Sequence, residues 1–457
     1  MTASNERLNE AFRSYAMACL RLMADMGDSL PISYREEFEW EREPDGQFTG
    51  HQVFLPEWGR TVSGLRNAFA DTDEYRQLAE AAREDAVVSS QLDVMVGVER
   101  ARMPTSLESL LYRFLAALLE RQGGPDFDEY AFDLEYGRLE QSFYSDEVPW
   151  TAAMPLLGLT APGRIILAPG LELRALSREE LRWVNSSQEF SDHGYPLMPP
   201  VIALVAAYNL RKIVGDRPTD TGSPVRETYL SYRQSLDRAL AGLALLKHGH
   251  FRCPVILERS SSYLFPVSHH VRPRSTFTSD GRLEILEEER TRLLGLYDSL
   301  GENSHPGVAK AIGRFVYGVD RKKEEDRLVD LMVGAESLFL PKEKDELAFK
   351  LCLRAALLWA SLGLAGRSPT DVYQSMKKAY RLRSAIVHGA GRADPNLKET
   401  TLAAEEIMRQ TITACLTDPP VPIPRTPGDW DKLTATWLER VGQGVASGTL
   451  ASGTANE

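Results

Sequence analysis

The sequence places two side chains suited to phosphate chemistry close together near its C-terminal end. Arg383 and His388 lie five positions apart, and Gly389 follows directly. A guanidinium group is always charged and binds a phosphate through two parallel hydrogen bonds, whereas an imidazole exchanges a proton near neutral pH. Together these are the groups that cleavage of a phosphodiester without a metal ion requires.

The charge around this pair differs from that of the whole chain. Residues 321–392 contain 14 Lys and Arg against 9 Asp and Glu, a net charge of +5, although the whole chain has a net charge of −12. Acidic residues are absent between Asp371 and Asp394. Local cationic surface of this kind is expected where a phosphate-bearing ligand binds. The candidate phosphate ligands beside Arg383 are Lys377, Lys378, Arg381 and Arg392.

The spacing of the pair restricts how it can act. Positions five apart on a helix lie about 140° apart around the axis and about 7.5 Å along it, so one helix does not easily aim both side chains at one atom. Either the helix ends at His388 and the imidazole swings over the terminus, or two copies of the helix face each other in a homodimer. A non-catalytic alternative is also open, since a histidine at a helix C-terminus often only interacts with terminal carbonyl groups.

Capping signals predict the helix that carries the pair. Ser368 is a suitable N-cap, Pro369 suits the first helical turn and Asp371 follows. The helix is expected to run to about His388, where Gly389 suits a left-handed C-cap. Apolar periodicity predicts five further helices in an all-α bundle over residues 283–417. They cover residues 284–300, 308–318, 326–340, 344–363 and 397–416, and the second of them is short.

The remaining regions are less uniform, and the predicted fold class is α+β: a mixed N-terminal region followed by the helical bundle. Residues 1–148 are predicted to be mainly helical, notably over 62–122, with a hairpin near 34–54. Residues 149–282 form an α+β region with a possible sensor or regulatory role. Residues 418–457 combine a Pro-rich linker, a short helix near 429–441 and a disordered tail. Short strands are predicted at 164–167, 171–174, 255–258 and 263–265, and helices after Ser177 and over 226–247.

Composition indicates an ordinary globular protein with two or three domains. The chain has 457 residues, of which 43% are hydrophobic and 26% charged. Its four cysteines have no paired spacing, which favours buried thiols in a reducing cytoplasm. A signal peptide is not evident, because residues 1–9 are polar and lack a cationic segment followed by an apolar run. A membrane span is not expected either, because the longest apolar stretch, residues 197–210, is short and contains two prolines and an asparagine.

A family resemblance adds to this interpretation. The run from Arg383 to Gly389 resembles the signature of the HEPN superfamily, in which a polar residue follows the arginine and a histidine comes four to six positions after it. More specifically, residues 314–389 resemble the Apea-like HEPN family, with supporting runs at 326–338 and 345–356. Residues 155–300 resemble the segment that often precedes this domain, and residues 1–130 match no known pattern.

The resemblance implies a bundle of four or five helices that dimerises. Many family members are metal-independent endoribonucleases, active in phage defence, toxin–antitoxin pairs or other RNA-targeted immunity. By position, Arg383 and His388 match the catalytic pair, and Ser384 stands where asparagine, aspartate or histidine is frequent. Glu336 matches an acidic position that would orient Arg383 or Arg354. The implied partners are RNA and a second copy of the chain, with a possible protein or phage-derived trigger, and the implied chemistry needs no metal and no cofactor.

Two functions remain open at this point. In the first, the ribose 2′-hydroxyl attacks the adjacent phosphorus, with His388 as general acid or base and Arg383 stabilising the phosphorane oxygens. Residues 1–300 would then sense a trigger or restrain the nuclease. In the second, the bundle is a non-catalytic module that binds nucleic acid or another protein.

Other constellations are weaker. His248, His250 and Cys253, with the pair at 269–270, lack the spacing of a zinc site, and we expect them to flank a strand. The acidic run 126–129 is more typical of a solvated loop than of a cation site. A phosphate-cradling glycine loop is not found, which excludes the common nucleotide hydrolases.

Overall fold

The computed structural model describes residues 5–42, 48–98, 101–186, 201–215, 224–271, 282–302, 305–389, 394–417 and 422–446. The fold is mixed α+β, with a helical C-terminal region. The chain divides into two compact units that alternate along the sequence, whereas the sequence predicts consecutive domains. Unit 1 comprises Met1–Met154, Ala175–Gln234 and Ile256–Val271; unit 2 comprises Pro155–Arg174, Ser235–Val255 and Arg272–Glu457.

The helices of unit 1 enclose an aromatic core. Phe114 packs edge-on against Phe12 at 5.5 Å and against Phe132 at 5.8 Å between ring centroids, a favourable geometry for aromatic pairs. These rings come from three different helices, which they hold together. The helices are α1 (Glu6–Met26), α2 (Trp58–Gly64), α3 (Arg66–Ala70), α4 (Asp73–Glu84), α5 (Ala86–Ser89), α6 (Leu107–Gln122), α7 (Glu129–Tyr144) and α8 (Arg178–Asn185).

Two hairpins accompany these helices. The predicted one is formed by β1 (Tyr34–Arg42) and β2 (Phe48–Pro56), which pair antiparallel, and its turn lies outside the described residues. The second joins β3 (Met95–Val98) to β4 (Ala101–Pro104) and interrupts the region expected to be largely helical. Valines of this hairpin favour β-strand structure. In the sequence, the helical periodicity of the residues on either side hides this local preference.

A larger sheet of unit 1 contains β5 (Glu147–Pro155), β9 (Ile202–Arg211), β11 (Ile256–Ser260) and β12 (Ser268–Val271), in the order β12-β11-β5-β9. Residues 202–210 of the apolar stretch are therefore part of a sheet strand. The strand expected at 263–265 is irregular, and β12 begins later. A two-residue strand, β10 (Ile213–Val214), pairs with β3.

Unit 2 has two small β elements. The first is a parallel pair of strands, β6 (Leu159–Thr160) and β13 (Leu283–Glu284). The second is an antiparallel hairpin formed by β7 (Ile165–Ala168) and β8 (Leu171–Ala175). Because β13 and a 3₁₀ turn at Glu287–Glu289 occupy its start, the helix predicted from residue 284 begins only at Arg290. The helix α9 (Pro224–Leu246) gives its first part to unit 1 and its second part to unit 2.

The helical part of unit 2 follows the predicted order. Central helix α12 packs against α11, α14 and α15, while α13 packs against α14 and α16. The last helix is longer than predicted, and its Trp430 is fully buried and contacts the ring of Phe339. The helices are α10 (Arg290–Glu302), α11 (Pro306–Val319), α12 (Glu324–Phe339), α13 (Leu347–Ser361), α14 (Pro369–Val387), α15 (Leu397–Leu416) and α16 (Pro427–Ala446).

Among the described residues, helices long and apolar enough to cross a membrane are not found.

Candidate functional site

Helix α14 carries the Arg383–His388 pair and is capped at both ends. The Ser368 hydroxyl accepts a hydrogen bond from the Asp371 amide at 3.1 Å, and the Asp371 carboxylate accepts one from the Ser368 amide, also at 3.1 Å. At the other end, the His388 amide donates to the Ser384 carbonyl at 3.0 Å. Gly389 has a φ of +70°, which favours glycine. The helix therefore ends at His388, as the capping signals predict.

Arg383 is half-buried on the inner side of α14. Its Nη2 lies 3.4 Å from Oε2 of Glu336 on α12, and the two side chains are 23% and 26% exposed. Its Nε is buried and has no hydrogen-bonding partner among the described residues. The guanidinium is therefore held in place at one nitrogen while it keeps donor capacity for an incoming anion.

Tyr380 lies beside this ion pair, and Cys352 lies near Tyr380. Burial and the negative charge of Glu336 raise the pKa of Tyr380, and the charge of Arg383 opposes that rise. Burial raises the pKa of the Cys352 thiol to about 11, against the influence of Lys377. Both groups therefore stay protonated near neutral pH and do not serve as proton acceptors there. Tyr380 was not predicted as a site residue, although its position one turn before Arg383 was a usable signal.

His388 is exposed at the end of α14. In the described part of the chain, hydrogen bonds and ion pairs between His388 and Arg383 are absent. Within one chain the imidazole and the guanidinium thus occupy the same helix end without direct contact, as the spacing of five residues implies.

The other cations of α14 differ in their exposure to solvent. Lys377 and Arg381 are exposed, whereas Lys378 and Ser384 are half-buried. None of the three cations forms an ion pair with a residue that the structure describes, so their charge is available to a bound anion. Arg392 lies outside the described residues.

Arg354 has a different environment from Arg383. It is 4% exposed, and it donates to the Phe339 carbonyl at 3.0 Å and to Glu343 at 2.6 Å. Its guanidinium also lies 5.4 Å from the ring centroid of Trp430. Glu336 was expected to orient Arg383 or Arg354, and in the structure it pairs with Arg383. Arg354 instead makes contacts that join α12, α13 and α16.

A second group of charges in unit 2 is buried. Both carboxylate oxygens of Glu405 on α15 have partners. Oε1 accepts a hydrogen bond from Arg409 and lies 3.0 Å from Nδ1 of His248. Oε2 accepts a hydrogen bond from Arg327. Burial alone would raise the pKa of Glu405, but the hydrogen bond with His248 and the two arginines lower it to about 2. The adjacent His250 has a lowered pKa, because burial and the nearby cations disfavour its charged form.

The structure accounts for the weaker candidate metal sites by other contacts. His248 is engaged by Glu405, and His269 lies 2.8 Å from Glu258 in unit 1. Asp128 caps α7 by accepting from the Ala131 amide at 2.9 Å, and Glu129 pairs with Arg13. Across the described ranges, groups of three or more His, Cys, Asp or Glu side chains that could hold a metal ion are not found. The four cysteine thiols are buried and none forms a disulfide.

Comparisons of the chain with models of protein families, with curated proteins and with solved structures found no match.

Proposed function

We propose that the protein is a metal-independent endoribonuclease of the HEPN type, with its active site at the end of α14. The observation that supports this best is the state of Arg383. One of its nitrogens is held by Glu336, its Nε is unpartnered among the described residues, and the unpaired cations of the same helix lie nearby. A phosphate could displace a 3.4 Å contact at modest cost, because half-exposed ion pairs contribute little to stability.

The proposed reaction is an internal transfer within RNA. The ribose 2′-oxygen forms a bond to the adjacent phosphorus, and the bond from phosphorus to the 5′-oxygen breaks. The proton of the 2′-hydroxyl passes to a base, a proton is delivered to the departing 5′-oxygen, and His388 serves one of these roles. Arg383 stabilises the charge on the non-bridging oxygens. The products are a 2′,3′-cyclic phosphate and a 5′-hydroxyl, so DNA is not a substrate.

A homodimer would solve the geometric problem of the pair. The end of α14 is exposed at His388, and Arg383 lies about 7.5 Å back along the same helix. Two copies related by a two-fold axis could bring Arg383 of each chain towards His388 of the other, in one cleft that the cations of both helices line. Lys377, Lys378, Arg381 and Arg392 would then contact the RNA phosphates, and Ser384 would lie at the edge of the cleft.

The rest of the chain would control this activity. We place residues 1–300 in a sensing or restraining role and the protein in the cytoplasm, where it would act in phage defence, as a toxin or in a stress response. A protein or phage-derived trigger would release the nuclease.

The proposal is tested by RNA cleavage in EDTA. Wild type, Arg383→Ala and His388→Ala are compared on single-stranded RNA and on DNA of the same sequence, and the product ends are identified. Lys398→Ala is the matched control, since Lys398 is exposed on the neighbouring helix α15. We expect cleavage of RNA only, with 2′,3′-cyclic ends, and a loss of about 100-fold or more in either site variant. Full activity in both variants would rule out this site.

A non-catalytic nucleic-acid-binding module is the second candidate. The ion pair with Glu336 favours it, because a guanidinium that stays paired would not reach a phosphate. A purified dimer that binds RNA through the α14 cations but never cleaves it would support this function instead.

A further inference from the structure

Unit 2 has a second cationic surface, on helix α11. Residues 306–323 contain five Lys and Arg against one Asp, a net charge of +4 in a chain whose net charge is −12. Positions 310, 314 and 317 fall within about 60° around the helix axis, so their side chains follow one line along the helix. Arg321 comes shortly after the helix ends at Val319. We call the four residues Lys310, Arg314, Tyr317 and Arg321 the α11 stripe.

The α11 stripe is open to solvent, so a ligand can reach it directly. The side chains of Arg314 and Arg321 are 48% and 50% exposed, and Lys310 is exposed as well. Tyr317 is 46% exposed and stacks on no other ring among the described residues, so part of its ring faces solvent. The core is contacted by a different side of the helix, which carries the buried residues Val308, Ala311, Phe315, Gly318 and Val319.

A buried acid holds the two arginines of the stripe. Asp330 of α12 is 5% exposed; its Oδ1 accepts a hydrogen bond from Nη1 of Arg314 at 2.9 Å, and its Oδ2 accepts one from Nε of Arg321 at 2.8 Å. The two helices lie close here because Gly334 of α12 has no side chain: a Cβ at that position would be 3.2 Å from Cβ of Arg314. Both guanidinium groups are therefore fixed on one carboxylate before any ligand binds.

The stripe keeps positive charge and free donors despite this acid. Its three cations and the one buried carboxylate carry a net charge of +2. The remaining nitrogens of the two arginines donate no hydrogen bond to a residue that the structure describes. Two more acids, Asp320 and Asp326, lie near Arg321, and the exposed Lys322 and Lys323 offset their charge. A bound anion would therefore meet fixed, charged N–H donors.

We propose that the α11 stripe binds the phosphates and one base of a single-stranded nucleic acid. A guanidinium fork matches a phosphate through two parallel hydrogen bonds, and Lys310 adds a point charge one helical turn from Arg314. Along the chain, Tyr317 comes between the two arginines and offers a ring on which an unpaired base stacks. A nucleic acid supplies both phosphates and flat rings, whereas an acidic peptide supplies only the charge. The stripe contains no residue of the site at the end of α14, so this proposal holds with or without RNA cleavage.

Fluorescence anisotropy of the full chain with a labelled single-stranded 2′-O-methyl RNA tests this proposal. This probe has no free 2′-hydroxyl, so it cannot undergo the proposed cleavage. Affinity is measured at several salt concentrations. Lys310→Gln removes one phosphate contact and should make the fall of log K with log salt concentration less steep by about 0.7. Tyr317→Ala should weaken binding about fivefold or more, the effect of losing one stacked base, and should leave the salt dependence unchanged.

Matched controls exist for both variants. Lys344→Gln changes an exposed lysine of the same unit, and Tyr130→Ala changes a tyrosine of unit 1 that is 74% exposed. Tyr317→Phe retains the ring and should bind as tightly as wild type. Neither Lys310 nor Tyr317 forms a hydrogen bond or ion pair with a residue that the structure describes, so their replacement should not disturb the fold. The two arginines are kept, because the buried acid would lose a partner.

Four results would overturn the proposal. They are no binding of the probe by folded wild type up to about 0.1 mM protein, an unchanged salt dependence in Lys310→Gln, an unchanged affinity in Tyr317→Ala, or equal affinity for a polyglutamate of the same charge. The last would mean that the stripe binds acidic polymers in general. The titrations are repeated in the Arg383→Ala background, where both effects should persist. Loss of RNA cleavage and loss of binding at the stripe are thereby scored separately.

Discussion

Unit 2 contains two groups in which glutamate meets arginine, and they differ in almost every physical respect. Glu405 is 1% exposed, and both of its oxygens are engaged by Arg327, Arg409 and His248. Glu336 is 26% exposed and holds one nitrogen of Arg383 at 3.4 Å. The same residue types thus form a fully engaged buried network in one place and a loose, half-exposed pair in the other.

The difference shows what each group can do. Buried charges must be fully paired because their desolvation is costly, so the Glu405 network is bound to its own helices and is unsuited to exchange partners. The pair at Arg383 gains little from its contact and loses little when it opens. We therefore propose that the first group supports the fold and that the second serves the chemistry.

The largest expected effect is on stability, in Glu405→Gln. Neutralising the acid leaves Arg327 and Arg409 buried without their counter-charge, which should lower the free energy of unfolding by about 3–5 kcal/mol. Urea denaturation measures this free energy of unfolding. The control is Glu399→Gln, which changes an exposed acid of the same helix and should stay within about 0.5 kcal/mol of wild type. Equal values for the two variants would contradict a structural role for the network.

Acid should weaken the same network. The pKa of Glu405 is lowered from 4.5 to about 2 in the folded protein. Its stabilising contribution is therefore present above about pH 4.5 and is lost as the pH falls towards 2. We expect the stability difference between wild type and Glu405→Gln to shrink over that interval by on the order of 3 kcal/mol. A difference that is constant from pH 6 to pH 2 would show that the carboxylate charge is not the cause.

Arg354 should show an intermediate effect. Its removal leaves the Phe339 carbonyl and Glu343 without a donor and takes packing from Trp430. We expect Arg354→Ala to lower the free energy of unfolding by about 2 kcal/mol. The nearby Lys344→Ala, at an exposed position, should change it little. Similar stability of the two variants would mean that Arg354 does not join the helices.

The smallest effect on stability is expected for Glu336→Gln, within about 1 kcal/mol, because the pair is half-exposed. If Glu336 orients Arg383, the rate of RNA cleavage should nevertheless fall about tenfold, the value of one charge-assisted hydrogen bond. Glu399→Gln again serves as control. A variant with lower stability and an unchanged rate would place Glu336 with the structural group.

Local signals in the sequence predicted much of this unit. The Ser368 cap, the end of α14 at His388 and the left-handed Gly389 depend on residues a few positions apart, and such patterns are visible in the chain itself. In unit 1, the β1–β2 hairpin and the Ser177 capping box were predicted from local signals of the same kind.

What the sequence did not reveal depends on long-range contacts. Glu405 is 78 positions from Arg327 and 157 from His248, so no spacing rule points to their network. Arg354 was placed near the site by the family resemblance, whereas its partners are set by helix packing.

The central claim is that Arg383 serves chemistry while the Glu405 network serves the fold. The most direct test measures the rate of RNA cleavage in EDTA and the free energy of unfolding on the same preparation of Arg383→Ala. We predict a rate at least about 100-fold below wild type and a free energy within about 1 kcal/mol of it. An unchanged rate, or a loss of stability as large as that of Glu405→Gln, would contradict the account.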